Sequence, residues 1–408
     1  MQLKKFFNPT PLGYIQMSLF ILIELLLIFD KTFSKFNLFG PLYLYDALLI
    51  ILTIISGVYI FKAKISLTIW PIQLLIGIAT LYLLYSYFIL DSPLNYMVRQ
   101  FAVIIYLVNI YLIFHAFIGK QEQKFNIRFF IVLGFLAPVA QIGFHFYNFL
   151  RAENYMSTLF DDFHYFSEMG FMTLFLFEVF ILVYLKAWWK WVVIIVFLLL
   201  ITTLGHQGSS VIVFFIILGS YVFIHAKKYH KVAISVVAIV AIWELFFLLP
   251  SYFLDHNTLW RLLYWKITIK DIFVDYYGVF GHGFGVKFTT PEILAAMSSQ
   301  LNSPWFEVRP EEQYLSPMHN SFITFAYHIG FVFMLLIFVP LRNMFIYILN
   351  RSNNSPTPTK DFLVITLFGL IGWSSFHVIL ELPHSSALFW LVYFSTIYEF
   401  NQKPKPST

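Results

Sequence analysis

The stretch Leu67–Leu90 reads LTIWPIQLLIGIATLYLLYSYFIL and carries no charged side chain over its twenty-four residues. Because an α-helix rises about 1.5 Å per residue, this stretch is long enough to cross a hydrocarbon core of roughly 30 Å. Similar runs recur along the 408 residues, of which 60% are apolar and 12% charged. Soluble domains carry about 25% charged residues. The composition therefore excludes a soluble globular protein and predicts an all-α polytopic integral membrane protein.

Apolar runs of about 18–25 residues predict twelve transmembrane helices. The predicted spans are Leu12–Phe29, Tyr43–Phe61, Leu67–Leu90, Val98–Ile118, Phe129–Leu150, His164–Leu185, Trp188–Leu204, Ser209–Ala226, Val232–Leu254, Phe322–Leu349, Phe362–Leu380 and His384–Phe400. They divide the chain into helices 1–9 over residues 1–254, an extracytoplasmic loop over 255–320, helices 10–12 over 321–400, and a polar tail over 401–408. An even number of spans places both termini on the same side of the membrane.

The distribution of Lys and Arg predicts which side that is. With the termini in the cytoplasm, the inner segments hold seventeen basic residues and the short outer segments hold four, while the other five lie in the long outer loop. Cytoplasmic loops collect Lys and Arg, so we expect cytoplasmic termini. The net charge of +5 then requires no nucleic-acid partner, and the lack of cysteine excludes disulfides, thiolate nucleophiles and Cys-ligated metals.

Only one loop is long enough to hold a folded site. The inner loops are too short for a nucleotide-binding domain, and the phosphate-binding pattern G-x-x-x-x-G-K-[ST] is absent from the sequence. Both features disfavour ATP-driven transport and the use of nucleotide sugars. Residues 255–320 form the single long hydrophilic segment, and a loop of that length is uncommon unless it has a function. The chemistry is therefore expected there.

An amphipathic helix is predicted near the start of this loop, over Asn257–Phe273. At 100° per residue, Arg261 shares a face with the apolar Trp265 and Ile272, while the two lysines of the stretch lie opposite. Arg261 then either packs its stem and extends its charge to the membrane surface, or binds an anion. The planar guanidinium suits phosphate because it forms paired, charge-assisted hydrogen bonds. Spacing alone favours the first interpretation.

Two further patterns lie in the loop. Gly278–Gly285 reads GVFGHGFG, and its glycines permit a tight turn or the close approach of a ligand. It lacks the βαβ context of a dinucleotide-binding fingerprint, so a plain turn is the commoner interpretation. Thr290-Pro291-Glu292 predicts the start of a short helix, with Thr as cap and Pro at the first helical position.

The loop ends at His319, directly before Asn320 and the predicted tenth span. An unperturbed His titrates near neutral pH, so His319 at the outer surface is placed to act as a general base. In an uninterrupted helix His328 would lie half a turn away and about 13 Å deeper, so the two would not form one site. Gly330 would lie close to the His319 face and leave it open for helix packing or a lipid chain.

The residues around His319 resemble the O-antigen ligase and O-antigen polymerase family of bacterial envelope glycosyltransferases. The ligase pattern is His, then Asn, Ser or Gln, nine residues, Gly, two residues, and a small residue or Tyr. Here the corresponding residues are His319, Asn320, Gly330 and Phe333. Phe333 departs from the pattern.

The family resemblance extends to the loop and to the layout of the chain. The family's loop carries an Arg, an aromatic residue and a G-x-G turn, an order that Arg261, Trp265 and residues 281–283 match. Its ligases have twelve spans, with the long outer loop between spans nine and ten, as predicted here. The specific motifs cover only about residues 261–330.

A second departure concerns the diphosphate site. Family members often have a Ser-Arg-Gly-like turn between two earlier spans, whose Arg is thought to bind diphosphate. The equivalent stretch is Gly205-His206-Gln207-Gly208-Ser209, which has Gln207 at the Arg position. Either the alignment slips here or another outer cation serves, for which Arg99, Arg151 and Arg309 are the candidates.

The resemblance implies a metal-independent glycosyltransferase of the bacterial inner membrane, with a periplasmic active loop and no cofactor. Its donor is a glycan on a polyprenyl (undecaprenyl) diphosphate, its acceptor a glycolipid, and it works within membrane lipid, with a flippase or chain-length regulator as a further partner. His319 would be catalytic, taking a proton from the acceptor hydroxyl or orienting it. The residues expected to bind substrate are Arg261, Arg309, Asn320, Arg99 and His282.

Two alternatives stay open at this point. Within the family, a polymerase extends a lipid-linked repeat and a ligase transfers the glycan to lipid A–core; the departures at Phe333 and Gln207 favour the polymerase. Of another class, a lipid-linked glycan flippase or proton-coupled transporter would explain Glu24, Glu178 and Glu244 inside predicted spans. A transporter does not need a 66-residue outer loop that ends in a His at a helix start.

Overall fold

A computed structural model describes residues 19, 22, 37–39, 42–65, 69–118, 168–186, 188–204, 208–227, 229–236, 256–301, 311–351 and 357–401. Almost all of the first predicted span, the whole of the fifth and most of the ninth lie outside these residues, as do Glu24 and Glu244. The described parts of the loop are 256–301 and 311–320, which include all of its motifs.

Helices make up nearly all of the described chain, which confirms the all-α class. A short antiparallel ribbon, β1 (Asn37–Phe39) and β2 (Leu42–Tyr43), precedes the first long helix. The helices are α1 (Leu44–Lys62), α2 (Trp70–Phe88), α3 (Leu94–Gln100), α4 (Ala102–Ile113), α5 (Glu168–Tyr184), α6 (Lys190–Leu204), α7 (Gly208–His225), α8 (His256–Lys270), α9 (Pro291–Leu301), α10 (Ser321–Ile329), α11 (Phe331–Met334), α12 (Arg342–Asn350), α13 (Pro358–Ser374) and α14 (Pro383–Asn401).

Four helical segments in the described chain are long and apolar enough to cross a membrane. They are Leu44–Lys62, Trp70–Phe88, Gly208–His225 and Phe331–Asn350, and α3 with α4 forms a fifth if that pair, bent by 48°, is one span. The first three and the bent pair coincide with predicted spans, whereas Phe331–Asn350 covers only the second part of the predicted tenth span. The total of twelve spans and their orientation stay predictions.

The core of the bundle lies around α13, which packs against α5, α7 and α14. Gly369 and Gly372 allow α7 to approach closely, since a Cβ on Gly369 would stand only 2.7 Å from Cγ1 of Ile217. Large aromatic side chains fill the remaining space, and Trp373 and Trp390 have no exposed surface. Ser375 and the turn that follows it are attached to the end of α13 and so to this core.

The predicted tenth span is wrong as one continuous helix. Gly330 has φ +90°, where L-residues are strained, and it ends α10 after nine residues. The chain needs this break because a Cβ on Gly330 would overlap the carbonyl of Val279, and Val332 N donates to Gly278 O at 2.9 Å. The predicted face shared by His319 and Gly330 therefore does not exist. Gly330 packs closely against the loop backbone instead of against a helix or lipid chain.

Residues predicted at the inner ends of four spans line one cavity of about 470 Å³. They include Trp70 at the start of α2, His115 after α4, Arg342 at the start of α12 and Asn401 at the end of α14. These residues meet at one end of the described bundle, and the directions of the spans across the membrane stay predictions.

Candidate functional site

Helix α8 presents Arg261 on the face that the sequence predicts. The helix runs from His256 to Lys270 and continues as a π-helical turn to Asp275. Trp265 and Ile272 are buried, whereas Lys266 and Lys270 are exposed, as the helical periodicity predicts. Arg261 is half-buried, between these two environments. The predicted amphipathic helix is confirmed.

Two side chains of α8 tie it to the turn that holds His319. The Tyr264 hydroxyl lies 3.0 Å from the carbonyl oxygen of Phe288 and 3.2 Å from that of Ser316. Burial raises the pKa of Tyr264, which keeps the hydroxyl a neutral donor. One helical position on, Trp265 Nε1 donates to the carbonyl of Met318, the residue before His319. The helix thus holds the His319 backbone from one side.

His319 adopts a strained backbone conformation. Its φ is +50°, in the left-handed region that non-glycine residues rarely occupy and that costs on the order of 1 kcal/mol or more. The neighbouring bonds hold it there: Met318 is anchored by Trp265, and Asn320 caps α10. Such strain is common where a side chain must be presented in one orientation.

Asn320 connects the turn to two helices. Its Oδ1 accepts hydrogen bonds from the backbone N–H groups of Phe322 and Ile323, each at 3.0 Å. Its Nδ2 donates to the carbonyl of Ser375, beyond the end of α13, at 2.8 Å. N-caps of this kind contribute about 1 kcal/mol. The structure therefore gives Asn320 a positioning role next to His319, and its predicted contact with substrate stays a prediction.

The surroundings of His319 lower the pKa of its imidazole below the expected value. Its ring meets the indole of Trp260 edge-on, with centroids 5.5 Å apart. Burial, and then the positive charge of Arg261, lower the pKa of His319 to about 4. The expectation of a pKa near neutrality is therefore wrong for the chain without substrate. At pH 7 the imidazole is neutral, with a free lone pair on one ring nitrogen.

A second histidine, His377, was missed by the sequence analysis. It follows α13, is 7% exposed, stacks on Trp373 with centroids 3.8 Å apart, and feels the charges of both Arg261 and His319. Its carbonyl accepts hydrogen bonds from the N–H and hydroxyl of Ser321, at 3.3 and 3.1 Å. We call Arg261, His319 and His377 the basic cluster. Because His377 lies within a predicted span, its sequence position alone carries no signal of this contact.

Ser209, the last residue of the predicted diphosphate turn, contacts a member of the same cluster. Ser209 Oγ, in the first turn of α7, lies 2.8 Å from Nε2 of His377. Gln207 lies outside the described residues, yet Ser209 follows it by two positions. Ser209 and the His319 turn are thus linked through His377, although they are more than a hundred residues apart in sequence.

An acidic residue also lies at this helix start. Ser321 Oγ stands 2.8 Å from Oε2 of Glu381 and accepts from the backbone N–H of Leu380 at 3.1 Å. Glu381 is partly exposed, in the turn that precedes α14. Glu381 follows a predicted span directly and resembles an ordinary solvated end, so its sequence position carries no signal of this contact. It adds a carboxylate to the surroundings of the His319 turn.

The glycine-rich loop is a clasp between three helices. His282 N donates to Tyr327 O at 2.8 Å and Gly283 N to His328 O at 3.0 Å, both in α10. Gly281 N donates to the hydroxyl of Tyr82 in α2 at 3.0 Å. A Cβ on Gly281 would overlap the His328 backbone, so the glycine is needed for contact with the chain itself. These contacts support the interpretation of the glycine-rich motif as a structural turn.

His282 and His328 already have partners within the fold. Nε2 of His282 lies 2.6 Å from Oδ2 of Asp271, and its ring lies between those of Tyr276 and Tyr327, each with centroids 4.0 Å away. His328 is buried, and its Nδ1 lies 2.7 Å from Gly283 O. The two histidines therefore stabilise the clasp. Substrate binding by His282 stays a prediction.

Of the other predicted cations, Arg99 is described and is exposed on α3. Its neighbour Gln100 is buried and contacts the clasp: its Oε1 accepts from Gly285 N at 2.6 Å and its Nε2 donates to Val286 O at 2.8 Å. Arg151 and Arg309 lie outside the described residues. In the part of the chain that the structure describes, no three His, Asp or Glu side chains are grouped to hold a metal ion.

No model of a known protein family matches the chain, and no curated protein matches it. The function must therefore be argued from the geometry of the site. The site combines the strained, neutral imidazole of His319, the guanidinium of Arg261 on the neighbouring helix and a second histidine, His377, next to apolar helices. Such a group of residues suits a reaction in which a hydroxyl loses a proton while an anionic group is bound nearby.

Proposed function

We propose that the chain is an envelope polysaccharide glycosyltransferase of the bacterial inner membrane, and that it polymerises repeat units carried on a polyprenyl diphosphate. The observation that carries the proposal is the strained His319 turn, which holds a neutral imidazole within range of the Arg261 charge. The motif resemblance around His319 adds to it. The described helical segments that are long and apolar enough to cross a membrane are compatible with a lipid-linked donor.

The reaction assigns one role to each member of the site. An acceptor hydroxyl oxygen attacks the anomeric carbon of the donor sugar, and the bond from that carbon to the diphosphate oxygen breaks. The electron pair of that bond leaves on the diphosphate, where Arg261 stabilises the negative charge. The hydroxyl proton passes to the neutral imidazole of His319. His377, held by Ser209, feels the charges of both residues, and its carbonyl accepts from Ser321 in the first turn after His319.

Donor binding is expected to strengthen His319 as a base. In the empty site, the positive charge of Arg261 is one of two causes that lower the pKa of His319 to about 4. A bound diphosphate brings negative charge to Arg261, which offsets that cause and favours the protonated imidazole. The imidazole thus gains basicity when the donor is in place, so that proton transfer is linked to substrate binding.

Substitution of His319 by Ala in a cell that depends on the gene tests the proposal. We expect an inserted, folded protein and no long-chain glycan, because the base is gone while the cap at Asn320 is kept. His230, which is exposed, provides the matched control: His230→Ala should make glycan of normal length. Normal chain length in the His319→Ala strain would reject a catalytic role.

The gel pattern of glycolipids after deletion of the gene separates polymerase from ligase. Lipid A–core that carries a single repeat means that polymerisation was lost. Lipid A–core that carries none, together with accumulated lipid-linked polymer, means that the ligation step was lost. Phe333 and Gln207, which depart from the ligase and diphosphate patterns, favour the first outcome.

One observation favours the transporter alternative. Glu178 in α5 has no exposed surface, and within the described residues neither of its carboxylate oxygens has a hydrogen-bond partner. Buried carboxylates inside membrane helices are frequently part of ion pathways. If the chain is a flippase, Glu178→Gln should leave lipid-linked single repeats on the cytoplasmic face. The proposed glycosyltransferase instead requires that single repeats still reach the periplasm.

A further inference from the structure

A cavity of about 500 Å³ lies at the outer end of α2, where this helix meets the start of the glycine clasp. Its volume falls within the range of small-molecule sites, on the order of 300–1,000 Å³. Five aromatic rings and one carboxylate form most of its lining, those of Tyr82, Tyr85, Tyr276, Tyr277, Phe280 and Asp275. None of the residues that line it is basic.

We propose that this cavity binds a pyranose ring of the glycan, as a sugar subsite at the clasp, which contacts the end of α10 far from His319. The inference rests on the proposed function and deepens it by assigning a place to the carbohydrate part of a substrate. A pyranose has apolar C–H faces and a rim of hydroxyl groups. Aromatic rings match the faces, and a carboxylate accepts hydrogen bonds from the hydroxyl groups.

The exposure of the rings supports a ligand. Tyr277 is 76% exposed and Phe280 59%, so both have large apolar surfaces that a bound ring would cover. Tyr277 also has φ +54°, in the left-handed region, where a residue with a large side chain is strained. The backbone preference of a tyrosine therefore does not explain this conformation. A requirement that the Tyr277 ring line the cavity explains it.

Two other rings of the cavity, those of Tyr82 and Tyr276, are held in place by contacts within the fold. The hydroxyl of Tyr82 accepts from the N–H of Gly281 at 3.0 Å, which fixes the position of the ring. Tyr276 contacts His282 with centroids 4.0 Å apart, and His282 is held by Asp271 at 2.6 Å. A rigid wall reduces the entropy lost on binding. This gives His282 an indirect role, since it supports Tyr276 from behind.

The lining distinguishes a sugar from the other two components of the substrate. A diphosphate would require a cation, and the residues that line this cavity include none. A polyprenyl or acyl chain would gain nothing from the carboxylate of Asp275, which would have to lose water. Interfacial aromatic belts explain why Tyr and Phe are common at this depth. They do not explain a concave arrangement around a carboxylate.

Binding by the purified full-length protein tests the subsite. The probe is the mixture of short oligosaccharides released by mild acid from the envelope glycan of the cells that make this protein, titrated against intrinsic fluorescence. We expect saturable binding that Tyr277→Ala weakens by roughly tenfold, or about 1.4 kcal/mol, which is the upper part of the range for an aromatic contact. Tyr277→Phe should bind within about twofold of the parent, because the ring is kept.

Two further variants complete the design. Asp275→Asn should weaken binding severalfold, because a neutral amide accepts weaker hydrogen bonds than a carboxylate. Tyr87→Ala is the matched control: Tyr87 is 51% exposed on α2, the helix that carries Tyr82 and Tyr85, and is not part of the lining, so binding should be unchanged. Parent-level binding by both Tyr277→Ala and Asp275→Asn would overturn the subsite. So would a signal that detergent monomers or polyprenol alone displace, since the cavity would then be a lipid site.

The sugar subsite and the catalytic role of His319 can fail independently, and the two variants distinguish the cases. If Tyr277→Ala abolishes oligosaccharide binding but His319→Ala cells make normal glycan, the sugar subsite stands and the assigned catalytic role is lost. If His319 is essential but Tyr277→Ala binds like the parent, the reaction stands and the subsite is elsewhere. In a transfer assay, loss of the subsite should raise KM and leave kcat nearly unchanged.

Discussion

Substitution of Arg261 by Gln should raise the pKa of His319, because it removes a positive charge that opposes protonation of the imidazole. The pKa lies at about 4, roughly 2.5 pH units below the usual 6.5 of a free His. Burial is the larger of the two causes, so Arg261 accounts for less than half of this difference. The upper bound is about 1.2 pH units, or ~1.6 kcal/mol. The variant should therefore titrate between 4 and about 5.2, still far from 6.5.

The assay is carbethoxylation by diethylpyrocarbonate, which attacks the neutral imidazole, followed by mass spectrometry of the peptide that contains His319. Its rate is measured over a pH range of about 3 to 8, and the midpoint gives the pKa. Two variants on the same helix serve as controls. Lys266→Gln removes a charge from the exposed opposite face and should leave the midpoint at about 4.

Arg261→Lys keeps the charge of the site and removes the planar fork. It should keep the midpoint near that of the parent and still lose transfer activity, because Lys does not form paired hydrogen bonds with a diphosphate. Full activity with Lys would mean that Arg261 only extends to the membrane surface. A midpoint near 6.5 in the parent, or no rise in Arg261→Gln, would refute the burial and charge assigned to this site.

Three further predictions concern stability. Arg351→Ala should destabilise the protein by about 3–5 kcal/mol, because it leaves the buried carboxylate of Asp361 without the guanidinium that lies 2.9 Å away; the melting temperature in detergent measures this. Gly281→Ala should lower the melting temperature as well, since its Cβ would overlap the His328 backbone, whereas Gly57→Ala, with open space around it, should not. The folded pKa of His319 is lowered to about 4, so protonation below about pH 6.5 favours the unfolded chain. The stability of the fold is therefore full above about pH 6.5 and falls as the pH drops toward 4, by at most about 3.4 kcal/mol. His319→Gln should reduce the drop in melting temperature over that window.

Local patterns predicted well those features that depend on neighbours along the chain. The face of α8 that carries Arg261 follows from helical periodicity alone, and its buried Trp265 and exposed Lys266 confirm it. The start of α9 at Pro291 also follows from local chemistry, with Ile293 N donating to Thr290 Oγ1 at 3.4 Å. Propensity, capping and amphipathicity are sufficient for such elements.

Features that depend on tertiary contacts were missed. Gly330 looked like a packing residue within a continuous helix, but the break there exists because the glycine clasp passes too close for a Cβ. The low pKa of His319 arises from burial by residues such as Trp260, whose contact no spacing rule predicts. His377 joins the site through a bond to Ser209, 168 positions away in sequence. Long-range pairing of this kind has no signature in one sequence.

Transfer by the purified full-length protein most directly tests the assigned role of His319. The donor is the glycan on polyprenyl diphosphate isolated from the parent cells, the acceptor is a lipid-linked single repeat, and elongated product is measured over time. We predict that the parent elongates the acceptor and that His319→Ala lowers kcat by at least about 100-fold, the usual worth of a general base. His230→Ala should match the parent. Equal elongation by His319→Ala and the parent would contradict a catalytic role for His319.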